Sequence, residues 1–120
     1  MKKIILLSII ALLTLPGCIS YPGGVASSSI PITAKDSYTI VRRNANGTDS
    51  SATLFGIIPL MPLPSTWQAL NDAKKQCNAD AMINLTVETE YNFAFLVIWF
   101  QEIKVTGDAI TFRTGGADIE

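Results

Sequence analysis

Ala81-Met82-Ile83-Asn84-Leu85-Thr86-Val87-Glu88-Thr89-Glu90-Tyr91-Asn92-Phe93 is the most regular stretch of the chain, with Ala81, Ile83, Leu85, Val87, Thr89, Tyr91 and Phe93 on one parity and Met82, Asn84, Thr86, Glu88, Glu90 and Asn92 on the other. Period two over that length is a strand with one face on a core and the other in water. A one-sided strand belongs to an antiparallel sheet, and something else in the chain must cover its apolar face.

The cover lies immediately upstream. Ser65 opens a helix as N-cap, and Gln68 three positions on completes a capping box, the serine oxygen taking the Gln68 amide and the glutamine side chain reaching back. Trp67, Leu70, Ala73 and Cys77 recur at helical spacing and form its apolar face, with Asn71, Asp72, Lys74 and Lys75 turned away. Asn78 suits the left-handed cap that stops it.

Downstream, Phe93 to Phe100 is solidly apolar, which predicts a turn near Asn92 to Phe95 and a strand from Leu96 to Val105. Gly107-Asp108 reads as a break, and Ala109 to Phe112 as a last short strand. Further upstream, Lys35 to Arg43 is β-prone. Asn44-Ala45-Asn46-Gly47 carries the Asn-Gly signal of a tight hairpin, and a second strand runs from about Ser50 to Ile58, with Gly56 marking a bulge or a close backbone approach. Pro59, Pro62 and Pro64 make an extended connector. The order β-β-α-β-β-β implies an α+β fold: a small antiparallel sheet of about five strands with one helix packed on one face.

The N-terminus has a different character. Lys2 and Lys3 precede an apolar run from Ile4 to Leu15 that is too short to cross a bilayer, which takes about 20 residues as a helix. A basic start, an apolar middle and small residues before a cut are the layout of a secretory signal. Leu15-Pro16-Gly17-Cys18 closes the run and resembles the lipobox of bacterial lipoprotein precursors. That resemblance implies cleavage before Cys18 and acylation of its thiol. Two or more acyl chains would hold the protein on a membrane, since each buried methylene contributes about 0.8 kcal/mol. An uncharged Ile19 after the cysteine implies, by the same resemblance, retention in the outer membrane of a bacterial cell envelope.

The expected organisation is therefore 1–17 signal peptide, 18–31 lipidated cysteine and flexible tether, 32–114 a single domain, and 115–120 a frayed end. The tether assignment rests on Ser, Gly and Pro enrichment in Tyr21-Pro22-Gly23-Gly24 and Ser27-Ser28-Ser29. Without Lys2 and Lys3, seven basic residues face ten acidic ones, which leaves no broad basic footprint for nucleic acid. Histidine is absent, removing the commonest general base and metal ligand. With Cys18 assigned to lipid, Cys77 has no partner for a disulfide and reads as a small buried hydrophobe near a helix C-terminus, where the dipole disfavours a thiolate.

No catalytic residue, metal site or cofactor is expected. Glu88 and Glu90 share a strand face and read as solvated rather than as an acid–base pair. Arg42 and Arg43 are strand neighbours that point to opposite faces. Phe95 to Phe100 reads first as a central strand buried on both faces. Its alternative is a partly exposed surface, carried by Phe95, Val97 and Trp99, that pairs with another subunit or an envelope protein.

From Ala69 onward the chain resembles the small α+β domains of the YbjQ and RcsF kind. The likeness rests on Ala69 and Ala73, on Asn78-Ala79-Asp80-Ala81-Met82-Ile83, and on Val105-Thr106-Gly107-Asp108-Ala109-Ile110, within residues 50–112. It implies a small α+β domain of a bacterial lipoprotein and, on the YbjQ side, metal binding or ring-forming oligomers, of which the chain's lack of histidine and spare cysteine disfavours the metal. Together these readings lead to a non-enzymatic, membrane-anchored interaction or structural module that self-associates or meets an envelope partner, with a small-ligand binding domain as the second expectation.

Overall fold

The computed structural model describes residues 2–13, 17–33, 36–94 and 97–113. The fold is α+β: five strands form one antiparallel sheet, with helix α2 on one face. The elements are α1 (Lys2–Leu13), β1 (Gly17–Ser28), β2 (Tyr38–Leu54), β3 (Ile58–Pro59), α2 (Thr66–Cys77), β4 (Ala81–Ala94) and β5 (Ile98–Phe112), and the strand order across the sheet is β1-β4-β5-β2-β3. Among the described residues α1 packs against no other element, and no helix is long and apolar enough to cross a membrane.

Three stretches expected to break the chain continue it instead. Asn44-Ala45-Asn46-Gly47 does not turn, because β2 runs through it and pairs with β5 from Tyr38↔Phe112 to Leu54↔Ile98. Gly107-Asp108 does not end a strand, because β5 is continuous to Phe112. Residues 18–28, expected within a loose tether, belong to edge strand β1, which pairs with β4 from Gly17↔Phe93 to Ser28↔Ile83.

These residues look like turn formers for reasons that act across strands rather than along the chain. A Cβ on Gly47 would fall on the carbonyl oxygen of Ala69 and the amide of Ala73, so this glycine lets α2 lie directly on the sheet. Asn44 and Asn84 sit at φ 51° and 54°, and each marks a register shift, one in β2 and one in β4. The Asp108 carboxylate, on the strand between them, accepts the Asn44 backbone N–H at 3.1 Å and the Asn84 side-chain amide at 3.2 Å. One acidic residue thus holds both irregularities.

The shift at Asn84 also moves the phase of β4. Met82 and Leu85, rather than a single odd-numbered series, meet the helix, and they join Ala45, Ala69, Leu70, Ala73, Val105 and Ala109 in the core. That core is built of small side chains under a closely seated helix. Cys77 is half-buried and packs against the cluster. Trp67, expected on the same helical face, is 63 % exposed.

Ser65 caps α2, as the sequence indicates, but its side chain accepts from the Trp67 amide at 3.2 Å and not from Gln68. The return bond assigned to Gln68 is made from the sheet, where Asp49 accepts the Ser65 N–H at 2.7 Å. At the other end Asn78 adopts φ 48°, ψ 44°, the left-handed cap expected of it. Ahead of β2, the Asp36 carboxylate accepts from both the backbone N–H and the hydroxyl of Thr33, which holds its carboxyl below the ordinary value.

Candidate functional site

α2 covers only the part of its face where Ala45, Gly47, Met82, Leu85, Val105 and Ala109 lie. The same face continues beyond the helix toward the β4–β5 turn, which Val97 closes by donating its N–H to the Ala94 carbonyl at 3.2 Å. Strand alternation and register put Trp99 and Gln101 of β5, Tyr91 and Phe93 of β4, and Ile19 and Tyr21 of β1 on this continuation. With Thr89 they line an open groove of about 470 Å³.

The aromatic rings are set edge to face. Phe93 and Trp99 lie 4.6 Å apart at 83°, and Tyr21 and Tyr91 lie 6.1 Å apart at 77°, the perpendicular arrangement that matches a ring's positive edge to its neighbour's negative face. Gly56 lies under the Trp99 ring, where a Cβ would come within 3.2 Å of it.

Gly56 belongs to the turn joining β2 to β3. Phe55 and Gly56 have φ 53° and 69°, and Ile57 donates its N–H to the Leu54 carbonyl at 3.1 Å, a tight turn with two consecutive left-handed residues inside the three-residue loop between the Leu54↔Ile58 pair. Asn-Gly is the ordinary occupant of such a turn. A phenylalanine there is an outlier that costs about 1–2 kcal/mol, and its ring is 58 % exposed.

The expected burial of the 95–100 segment on both faces does not hold for its described residues. Val97, Trp99 and Phe100 are 37 %, 36 % and 46 % exposed. Phe95 lies outside the described residues. Ile57 in the β2–β3 loop, Ile58 in β3, and Leu60, Met61 and Leu63 after it are also largely exposed.

Charge divides the sheet along a single row. Ser20, Glu90, Glu102 and Ser50 lie opposite one another across β1, β4, β5 and β2. Beyond that row, toward the turns, residues 17–19 of β1, 51–61 of β2, β3 and the segment after it, and 91–101 of the β4–β5 hairpin contain no Asp, Glu, Lys or Arg. Glu88 faces Lys104, and Glu90 faces Glu102, on the sheet face away from α2. Arg42 and Arg43 are exposed in the opposite half of β2 and take no part in this end.

Cys18 lies within the uncharged end. It pairs with Asn92, is exposed, and forms no disulfide. Among the described residues no three His, Cys, Asp or Glu side chains gather to hold a metal ion.

Sequence reasoning found Val97 and Trp99 but missed Ile19, Tyr21 and Phe55. Ile19 and Tyr21 were hidden by Gly, Ser and Pro neighbours, and their alternation is visible only once β1 is placed against β4. The uncharged runs 51–61 and 91–101 were the available signal. Comparison with protein-family models, with curated proteins and with solved structures finds no match for this chain.

Proposed function

We propose that this protein is a bacterial lipoprotein, anchored through an acylated Cys18 in the cell envelope, whose α+β domain is a non-enzymatic interaction or structural module. The observation that carries the reading is Leu15-Pro16-Gly17-Cys18 behind the apolar run of residues 4–15, with two lysines ahead of it. The exposed position of Cys18 in an edge strand agrees with a residue that carries lipid. An uncharged Ile19 favours the outer membrane.

The module works through the uncharged end of the sheet, where Val97 and Trp99 are exposed beside the groove. Exposed contiguous apolar surface of this kind is characteristic of docking sites. A second reading, a domain that binds a small ligand, draws on the groove's 470 Å³ and aromatic lining.

Intact-mass measurement of membrane-extracted protein tests the anchor. A mass beginning at Cys18 with acyl groups is expected, and conversion by Cys18→Ser to an unacylated form. An unmodified, water-soluble chain would overturn the reading. Isothermal titration with hydrophobic small molecules addresses the second reading, which predicts saturable binding that Tyr91→Ala abolishes.

A further inference from the structure

We infer that the uncharged end of the sheet is seated in the headgroup layer of the membrane, so that the domain stands end-on with the Phe55 turn, the Val97 turn and Trp99 against the lipid. The inference deepens the proposed function by naming the partner of this surface as the bilayer itself, and it rests on the anchored reading for its orientation. If Cys18 carries lipid, its place opposite Asn92 brings the acyl chains out of the same end of the sheet that bears the exposed aromatic and aliphatic side chains. A tether long enough to lift the domain away is lacking, since β1 begins at Gly17 and is bonded to β4 along its length.

The chemistry of this end suits a headgroup layer. Trp99 and Tyr91 are the residue types that concentrate where a polar tip meets water and a ring meets lipid. The absence of any formal charge from residues 17–19, 51–61 and 91–101, the parts of the sheet beyond the Glu90–Glu102 row, leaves no carboxylate to be repelled by phosphate and no charge to be desolvated. The size agrees as well. From the Glu90–Glu102 row to Ala94 is four residues of strand, about 13 Å at 3.3 Å per residue. A headgroup layer and its acyl boundary take up roughly 5–10 Å of a buried element. Deeper entry is barred, because the unpaired edge of a short strand cannot lie in hydrocarbon. Phe55 supplies a separate argument: a costly left-handed phenylalanine, exposed at the extreme of this end, keeps a large ring where Asn would suit the backbone better.

The test uses the full chain, purified from membranes and reconstituted in phosphatidylcholine–phosphatidylglycerol vesicles with bromine on the acyl chains near the headgroups. The protein has two tryptophans, so Trp67→Phe leaves Trp99 as the reporter. Trp67→Phe/Trp99→Phe/Tyr38→Trp places the reporter at the far end of β2, some 40 Å away along the sheet. Trp99 emission is expected to fall about two-fold or more against unbrominated vesicles, as for an indole at headgroup level, and the reporter at position 38 to be unaffected. Val97→Asp, at an exposed site, should reduce the Trp99 quenching. Equal quenching of both reporters would mean a sheet lying flat, and no quenching of Trp99 would mean an end facing water, another protein or a second copy. Either overturns the inference.

Intact mass on the same sample separates the two proposals. Acylated Cys18 without Trp99 quenching sinks the seating and keeps the anchor. Trp99 quenching with unmodified Cys18 keeps the seating and sinks the anchor.

Discussion

The two halves of this sheet are made from the same strands and treated in opposite ways. In the half under α2, contact is so close that glycine and alanine do most of the packing: Gly47, Ala45, Ala69, Ala73 and Ala109 let backbone approach backbone. In the other half the side chains are large, and Phe55, Trp99 and Phe100 are left substantially exposed. Exposed aromatic residues at the uncovered end reverse the usual burial of large apolar side chains. The difference teaches that core and surface here are assigned by what lies above the sheet, and that the large apolar groups serve something other than internal packing.

Substitutions at the two halves should accordingly differ in sign as well as size. The largest effect is expected from Gly47→Ala, whose methyl group meets helix backbone that cannot move aside as a side chain could. Overpacking of this kind costs about 1–3 kcal/mol and at times more, and with two backbone atoms in the way a loss of about 3 kcal/mol is expected. Urea denaturation followed by circular dichroism reads it. A wild-type midpoint would break the contrast, because α2 would then not be clamped to the sheet.

Asp108→Ala comes next. It leaves the Asn44 N–H and the Asn84 amide without their acceptor, at a cost of about 1–2 kcal/mol, read in the same denaturation experiment. Loss of amide-exchange protection should appear in β2 and β4 together, on both sides of the substituted strand. Protection lost in β5 alone would show that the two irregularities do not share one support.

At the uncovered end Phe55→Asn should raise stability, by about 1 kcal/mol, through relief of the left-handed phenylalanine. It should also weaken the quenching of Trp99 by brominated lipid. A mutation that stabilises the fold while impairing its contact with the membrane would sharpen the comparison. One that destabilises would place Phe55 in the packing after all.

The smallest effect is one of pH. The Asp36 carboxyl is held below its ordinary value by the two Thr33 donors, so the deprotonated form is favoured in the folded chain. Its contribution is present above the ordinary aspartate value and is lost as pH falls through the lowered one. A carbon-detected titration should place Asp36 below an unfolded reference, and Thr33→Val should move it back up. Asp36 is fully exposed, and neither half of the sheet should respond.

Much of this was legible along the chain. The alternation of residues 81–93 identifies a strand, Ser65 and Asn78 mark the ends of a helix, and the class α+β follows from one amphipathic helix among β-prone runs. The readings that failed share one cause. Asn46-Gly47, Gly107-Asp108 and the Gly-rich stretch after Cys18 read as punctuation because Gly and Asn usually serve their own backbone. In this fold they serve a neighbour: Gly47 admits α2, Gly107 passes close to the Ile83 carbonyl, and Asp108 ties two strands to a third. Trp67 likewise has the right helical phase for the core, yet it is largely exposed.

Sequence alone determined the local preferences: which residues alternate, which cap, and which stretches carry no charge at all. Only the tertiary structure decided that β1 joins the sheet, that uncharged segments from the start of β1, the β2–β3 turn and the β4–β5 hairpin meet at one end, and that Cys18 lies among them. The physical reason is that pairing register and close backbone approach depend on residues brought together from far apart in the chain, and local preference carries no information about which residues those will be.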